Sequence, residues 1–214
     1  MYNITMKKII SFDLDGTLVH GKYGDIVWNR GIPEEYADKY GFTFDEAVSR
    51  VRERYEAVGD TRMEWYNIDY WLRKFDLSVT AAELLDRYES HIEPLPNAAE
   101  VLQALKSRYA LIIASNAARI FVEKELSHTG LGCYFDHVIS ATTDYGMVKK
   151  EEHFYRRLCR SLDVSPREIV HVGDHRIFDF EAPLRLGIEA YHLARDGETG
   201  PGVIHNLREL LLKL

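Results

Sequence analysis

Five short apolar runs set narrow limits on the fold: residues 8–13 (KIISFD), 109–114 (YALIIA), 137–141 (HVISA), 168–172 (EIVHV) and 188–193. Each has the length of a strand and is rich in Ile and Val, and most are continuous rather than alternating. A strand apolar on both faces must be covered on both faces, as in a parallel sheet packed between helices. Parallel neighbours also need crossover helices. Helical segments stand where they are required, at 117–127 after the second run, 151–162 after the third and 179–186 after the fourth. The alternation predicts an α/β fold with a doubly wound parallel sheet.

Between the first and second runs the rhythm breaks. From about residue 20 to residue 92 no convincing strand occurs. Thr43-Phe44-Asp45-Glu46 reads as a capping box, followed at helical spacing by Ala47, Val48, Val51, Tyr55 and Val58. Thr80-Ala81-Ala82-Glu83 reads as a second box. Between them Trp65, Ile68, Leu72 and Phe75 mark another amphipathic helix. The division predicted is an α/β core from residues 1–19 and 93–214, with a helical lobe inserted at 20–92. Its many aromatic side chains are expected to fill a small core first, with a few left for a substrate pocket.

The bulk numbers exclude several classes. With 214 residues, 46% hydrophobic and 29% charged, the chain has the composition of an ordinary globular protein. A net charge of −7 argues against general nucleic-acid binding. The arginine clusters at 50–54 and 156–160 lie among acids on predicted helices and read as solvated faces. Two cysteines, Cys133 and Cys159, make neither a disulfide framework nor a metal cluster. No apolar run approaches the ~20 residues of a bilayer span, and no signal-peptide core precedes the first strand. The expectation is a cytoplasmic protein.

The carboxyl ends of strands in such a sheet face one shared crevice. Here the first run ends in Asp13 and Asp15, the second in Ser115 and Asn116, and the fourth in Gly173-Asp174, with Asp179 five residues on. Lys149 and Lys150 follow the third. Carboxylates crowded at the end of a core strand repel one another and lose hydration unless a cation joins them. Oxygen-only ligands suit Mg²⁺. His171 and His175 stand four apart but span a strand and a loop with no third ligand, which speaks against zinc.

Taken in order, these motifs resemble the haloacid dehalogenase superfamily, in its phosphatase branch. Asp13-Leu14-Asp15-Gly16-Thr17 matches the first motif in full, Ser115 the second, Lys149 the third, and Asp174 with Asp179 the acidic fourth. Lys150 stands where a proline often follows the motif lysine. The inserted lobe is similar to the family's helical cap, so the resemblance spans nearly the whole chain.

The resemblance implies Asp13 as nucleophile, forming an aspartyl-phosphate, and Asp15 as acid and then base. It implies Ser115, Asn116 and Lys149 as holders of the phosphoryl oxygens, with Thr17 supporting the turn beside them. Asp13, Asp174 and the Asp15 backbone carbonyl would hold Mg²⁺, and Asp179 would orient the lysine. The substrate expected is a small phosphate monoester. His20, Lys22 and Arg62 are candidate contacts to its leaving group. An acid at Asp15 disfavours the dehalogenase branch. A sugar-phosphate mutase and a non-catalytic phospho-accepting regulator remain as alternatives.

Overall fold

The computed structural model describes residues 7–148, 150–195 and 197–214. Among these residues six parallel strands form one sheet: β1 (Ile9–Phe12), β2 (Ala110–Ser115), β3 (His137–Ser140), β4 (Ile169–Gly173), β5 (Glu189–Leu193) and β6 (Val203–Ile204), in the order β3-β2-β1-β4-β5-β6. The strand carrying the paired aspartates is therefore central. Ile9 lies beside Ala110 on one side and Ile169 on the other.

Residue parity along the strands shows why the runs are continuously apolar. Ile10, Phe12, Leu111, Ile113, Val170 and Val172 enter one packed cluster, while Ile9, Ile112, Ala114 and Ile169 enter another. Among the described residues eleven α-helices accompany the sheet: α1 (Lys22–Ile26), α2 (Ile32–Tyr40), α3 (Phe44–Val58), α4 (Ile68–Lys74), α5 (Ala81–Arg87), α6 (Ala98–Lys106), α7 (Arg119–Thr129), α8 (Ala141–Tyr145), α9 (Glu152–Ser161), α10 (Ala182–Leu186) and α11 (Leu210–Lys213). Helices α6, α7 and α11 cover the first face through Val101, Leu102, Val122, Leu126 and Leu210. Helices α9 and α10 cover the second through Phe154, Tyr155, Leu158 and Ala182. Every β1 side chain is buried, whichever way it points.

Helices α1 to α5 lie between β1 and β2, as the broken rhythm predicts. They share a third cluster built on Tyr23, Val27, Ile32, Val51, Tyr55, Trp71, Phe75 and Leu84, which Phe121 of α7 joins. Both capping boxes form: the Thr43 and Thr80 hydroxyls accept from the amides of Glu46 and Glu83, whose carboxylates return the bond to the threonine amides. Each such cap is worth about 1 kcal/mol. The chain enters and leaves this insert side by side. Val19 bridges Pro94 antiparallel, the His20 amide donates to the Glu93 carbonyl at 2.9 Å, and the Leu95 amide donates to the Leu18 carbonyl at 2.8 Å.

The structure differs from the sequence expectation in particular places. The helix expected at 179–186 starts earlier, as a π-helical stretch over Arg176–Glu181 that runs into α10. The wider turn lets Asp179 sit beneath the loop that precedes it, where its carboxylate accepts from the His175 amide at 3.0 Å. Strand β6 has two residues, too few for any periodic signal. Among the described residues no helix is long and apolar enough to cross a membrane.

Candidate active site

Asp13 continues the β1 ladder by one residue, its amide donating to the Val172 carbonyl at 2.8 Å. The chain then turns sharply. The Leu14 carbonyl accepts from the amides of Thr17, Leu18 and Val19, and the Gly16 amide donates to the Val19 carbonyl at 2.8 Å. Gly16 sits at φ +77°, and a Cβ there would fall 2.0 Å from Asp174 Oδ2. Only glycine allows both the left-handed turn and the approach of the β4 loop. The Arg195 guanidinium fixes the same turn by donating to the Gly16 carbonyl.

The buried cation of the site is Lys150, which is 1% exposed. Its ammonium lies 2.6 Å from Asp13 Oδ1, 2.6 Å from Asp179 Oδ1 and 2.9 Å from the Ala114 carbonyl. The sequence reading gave this place to Lys149, which lies outside the described residues. Its neighbour Lys150 makes the contacts expected of the motif lysine. The two positions carry the same residue type, so composition offers nothing to separate them.

Burial alone would depress the Lys150 pKa, but the two carboxylates more than reverse this and hold the ammonium charged. Burial likewise favours the neutral form of Asp179. Lys150 and His171 overcome that and pull the carboxyl below the usual carboxylate range. His171 Nε2 is 3.2 Å from Asp179 Oδ1 and its Nδ1 is 2.9 Å from Ser11 Oγ, so the histidine is a buried brace. His175 is exposed and stacks on Phe178. The two histidines do not converge.

Asp13 also accepts from the Thr17 hydroxyl at 3.3 Å. Desolvation raises its pKa well above the carboxylate range, with Asp179 and Asp174 adding to the effect and Lys150 opposing it. Asp174 is raised for the same reasons, burial first and Asp179 next. Carboxylate oxygens of Asp13, Asp174 and Asp179 lie within 4.8 Å of one another. Among the described residues one buried lysine, Lys150, stands against three acids at such range. The all-oxygen donor set and the residual negative charge fit a hard divalent cation. Asp179 is engaged by Lys150, His171 and the His175 amide, and Asp13 by Lys150 and the Thr17 hydroxyl.

Ser115 ends β2 and is 2% exposed. Its hydroxyl accepts from the Ala117 amide at 3.0 Å, which shapes the loop before α7 rather than capping the helix. The Arg119 amide donates to the Thr143 hydroxyl at 3.0 Å, holding that loop from the other side. Sequence order thus brings Asp13, Asp15, Thr17, Ser115, Asn116, Asp174 and Asp179 to one end of the sheet.

A pocket of about 370 Å³ opens beside Asp15 toward the inserted helices. Trp28, Tyr55, Trp65, Tyr66 and Phe121 form its aromatic walls, and Asn116 and Glu125 join Asp15 in the lining. Of the candidates for leaving-group contacts, His20, Lys22 and Arg62 do not line it; Arg62 is exposed and pairs with Glu64. Glu125 was missed. It is 1% exposed on α7, and burial followed by the Asp15 charge pushes its carboxyl up to about 10. The pKa of Asp15 is raised to about 6, chiefly by desolvation. A signal for Glu125 was present, since Phe121, Val122 and Leu126 define a buried helical stripe that also contains position 125.

Comparisons with known proteins place these features in context. The profile of the haloacid dehalogenase-like hydrolases matches residues 7–187. The GMP/IMP nucleotidase YrfG of Escherichia coli (strain K12) is 27% identical over 182 residues, covering 84% of this chain and 79% of that protein. The glyceraldehyde 3-phosphate phosphatase of Pyrococcus furiosus is 25% identical over 191 residues, covering 85% and 78%. Among solved structures, the HAD phosphatase from Thermococcus onnurineus superimposes with a TM-score of 0.81 at 28% identity, over 97% of both chains.

Proposed function

The chain belongs to the haloacid dehalogenase-like hydrolases, a phosphate-monoester hydrolase by its relatives, and we propose that it cleaves small phosphorylated metabolites through Asp13 with Mg²⁺. The observation that carries this reading is the pairing of Asp13 with a buried, charged Lys150, beside a second acid of raised pKa at Asp15. The lysine holds one Asp13 oxygen and neutralises charge where phosphoryl oxygens would gather. A carboxylate so placed is a nucleophile and its neighbour a proton donor.

An Asp13 oxygen forms a bond to phosphorus, the ester P–O bond breaks, and Asp15 gives its proton to the departing alkoxide. Asp15, now a carboxylate, takes a proton from water as the water oxygen attacks phosphorus, releasing inorganic phosphate and regenerating Asp13. Ser115, Asn116 and Lys150 orient the phosphoryl oxygens, and Thr17 holds Asp13 in line. Asp13, Asp174 and the Asp15 backbone carbonyl would hold Mg²⁺, which would supply positive charge to offset the phosphoryl group. Asp179 keeps Lys150 in place.

Residues 20–92 act in this reading as a cap whose aromatic wall covers the leaving group and excludes water. A pocket of about 370 Å³ suits a metabolite. The curated relatives act on purine nucleotides in one case and a triose phosphate in the other, and both are small phosphate monoesters. Free cysteines, Cys133 exposed and Cys159 buried, accord with a cytoplasmic setting.

Phosphate release from p-nitrophenyl phosphate and a panel of metabolite phosphates tests the proposal. Turnover should require both Mg²⁺ and Asp13, disappearing with chelator and in Asp13→Asn. Turnover that survives in Asp13→Asn would rule out this nucleophile. Interconversion of sugar-phosphate isomers without phosphate release would identify a mutase instead.

A further inference from the structure

Two polar groups in the pocket wall lack donors. Both carboxyl oxygens of Glu125 and the Asn116 Oδ1 are buried from solvent; the Glu125 carboxyl faces that of Asp15, and no other N–H or O–H of the described residues donates to these atoms. The neighbour of Glu125 is the Asp15 carboxyl. Two facing carboxyls share at most one proton, so at least one Glu125 oxygen stays unaccounted for. A buried acceptor without a donor costs about 1–3 kcal/mol. The apolar stripe of α7 would be completed by a leucine at this position at no such cost. Orphan acceptors of this kind are what a site built for a hydrogen-bonding ligand shows when that ligand is not there.

We infer that Glu125 is a specificity-determining residue: with Asn116 Oδ1, its carboxyl receives a hydrogen bond from a hydroxyl that the leaving group carries next to the scissile ester. This rests on the phosphatase reading and specifies the substrate class. The alcohol released is a polyol or sugar-like group with a hydroxyl close to the phosphate, its remaining surface covered by Trp28, Tyr55 and Phe121. A hydroxyl there supplies the missing donor, whereas a leaving group without one leaves the acceptors of Glu125 and Asn116 unfilled.

The test compares kcat/KM for glycerol 3-phosphate, which has a hydroxyl beside the ester carbon, with n-propyl phosphate, which has none. Both release an alkyl alkoxide, so any effect of a variant on Asp15 cancels in the ratio. Wild type is expected to favour glycerol 3-phosphate by tenfold or more. Glu125→Leu should bring the ratio near unity, and Glu125→Gln, which keeps a carbonyl oxygen, should retain most of it. Equal rates on the two esters in wild type, or an unchanged ratio in Glu125→Leu, overturn the role of Glu125. Turnover of p-nitrophenyl phosphate without a preference for glycerol 3-phosphate does so while leaving the phosphatase reading intact. No phosphate release from any of the three esters overturns both.

Discussion

Replacing Lys150 by methionine removes the ammonium and keeps most of the aliphatic stem. The wild-type group lies 2.6 Å from each of two buried carboxylates and 2.9 Å from a backbone carbonyl. Leaving buried charges unpaired costs about 3–5 kcal/mol. In a chain of this size that corresponds to a fall in Tm of roughly 6–20 °C. The cost should depend on pH in a defined direction. Without the lysine, the Asp13 pKa, already raised by burial, rises further, and that of Asp179 rises above its unfolded value. The variant therefore keeps stability at low pH and loses it as pH rises, so its deficit should be larger at pH 8 than at pH 5. Catalysis should fall further, by about 10²–10³ in kcat, as when one positioned donor is deleted from a preorganised site. Thermal melts at both pH values and Mg²⁺-supported hydrolysis of p-nitrophenyl phosphate read the two effects. The reasoning is refuted if Lys150→Met melts like wild type and turns over within threefold of it, or if Lys149→Met carries the loss instead.

Three further outcomes follow from the same geometry. Because desolvation lifts Asp15 to about 6, kcat/KM for an alkyl phosphate should fall as pH rises through that value, and Asp15→Asn should abolish that limb of the profile. Glu125 keeps its proton to about 10 in the folded protein, above its unfolded value; its stability contribution is lost as pH rises, so Glu125→Gln should stabilise at pH 7 by on the order of 3 kcal/mol and have no effect near pH 4, measured by urea unfolding. In Gly16→Ala the added Cβ, 2.0 Å from Asp174 Oδ2 on a backbone at φ +77°, must displace that carboxylate, and the Mg²⁺ concentration for half-maximal activity should rise at least tenfold.

Much of the fold was legible because the sheet is parallel and buried on both faces. That requirement writes itself into the chain as uninterrupted runs such as IISF and ALIIAS. The capping boxes at Thr43 and Thr80 were equally local signals and formed as read. Strand β6 and the π-helical start at Arg176 were not legible, the one too short for a pattern and the other set by what Asp179 must reach. The acids at the strand ends could be gathered from order alone, since topology brings those ends together. The contacts of Lys150 could not be read from two adjacent lysines, since both carry the same side chain. Glu125 needed a different habit of reading, in which a charge on a buried helical stripe is taken as a clue to function. His20, Lys22 and Arg62 drew notice as polar residues near the site, whereas Trp28, Tyr55, Trp65, Tyr66 and Phe121 line the pocket.

The account turns on a covalent bond between Asp13 and phosphorus, and trapping that bond tests it most directly. The enzyme would be quenched during steady-state turnover of a phosphate monoester with Mg²⁺, treated with borohydride, digested and sequenced by mass spectrometry. Borohydride reduces an acyl phosphate to the alcohol, so homoserine should appear at position 13, only when substrate is present, and not in Asp13→Asn. Active turnover with aspartate intact at position 13, or with reduction at another carboxylate, would contradict the account.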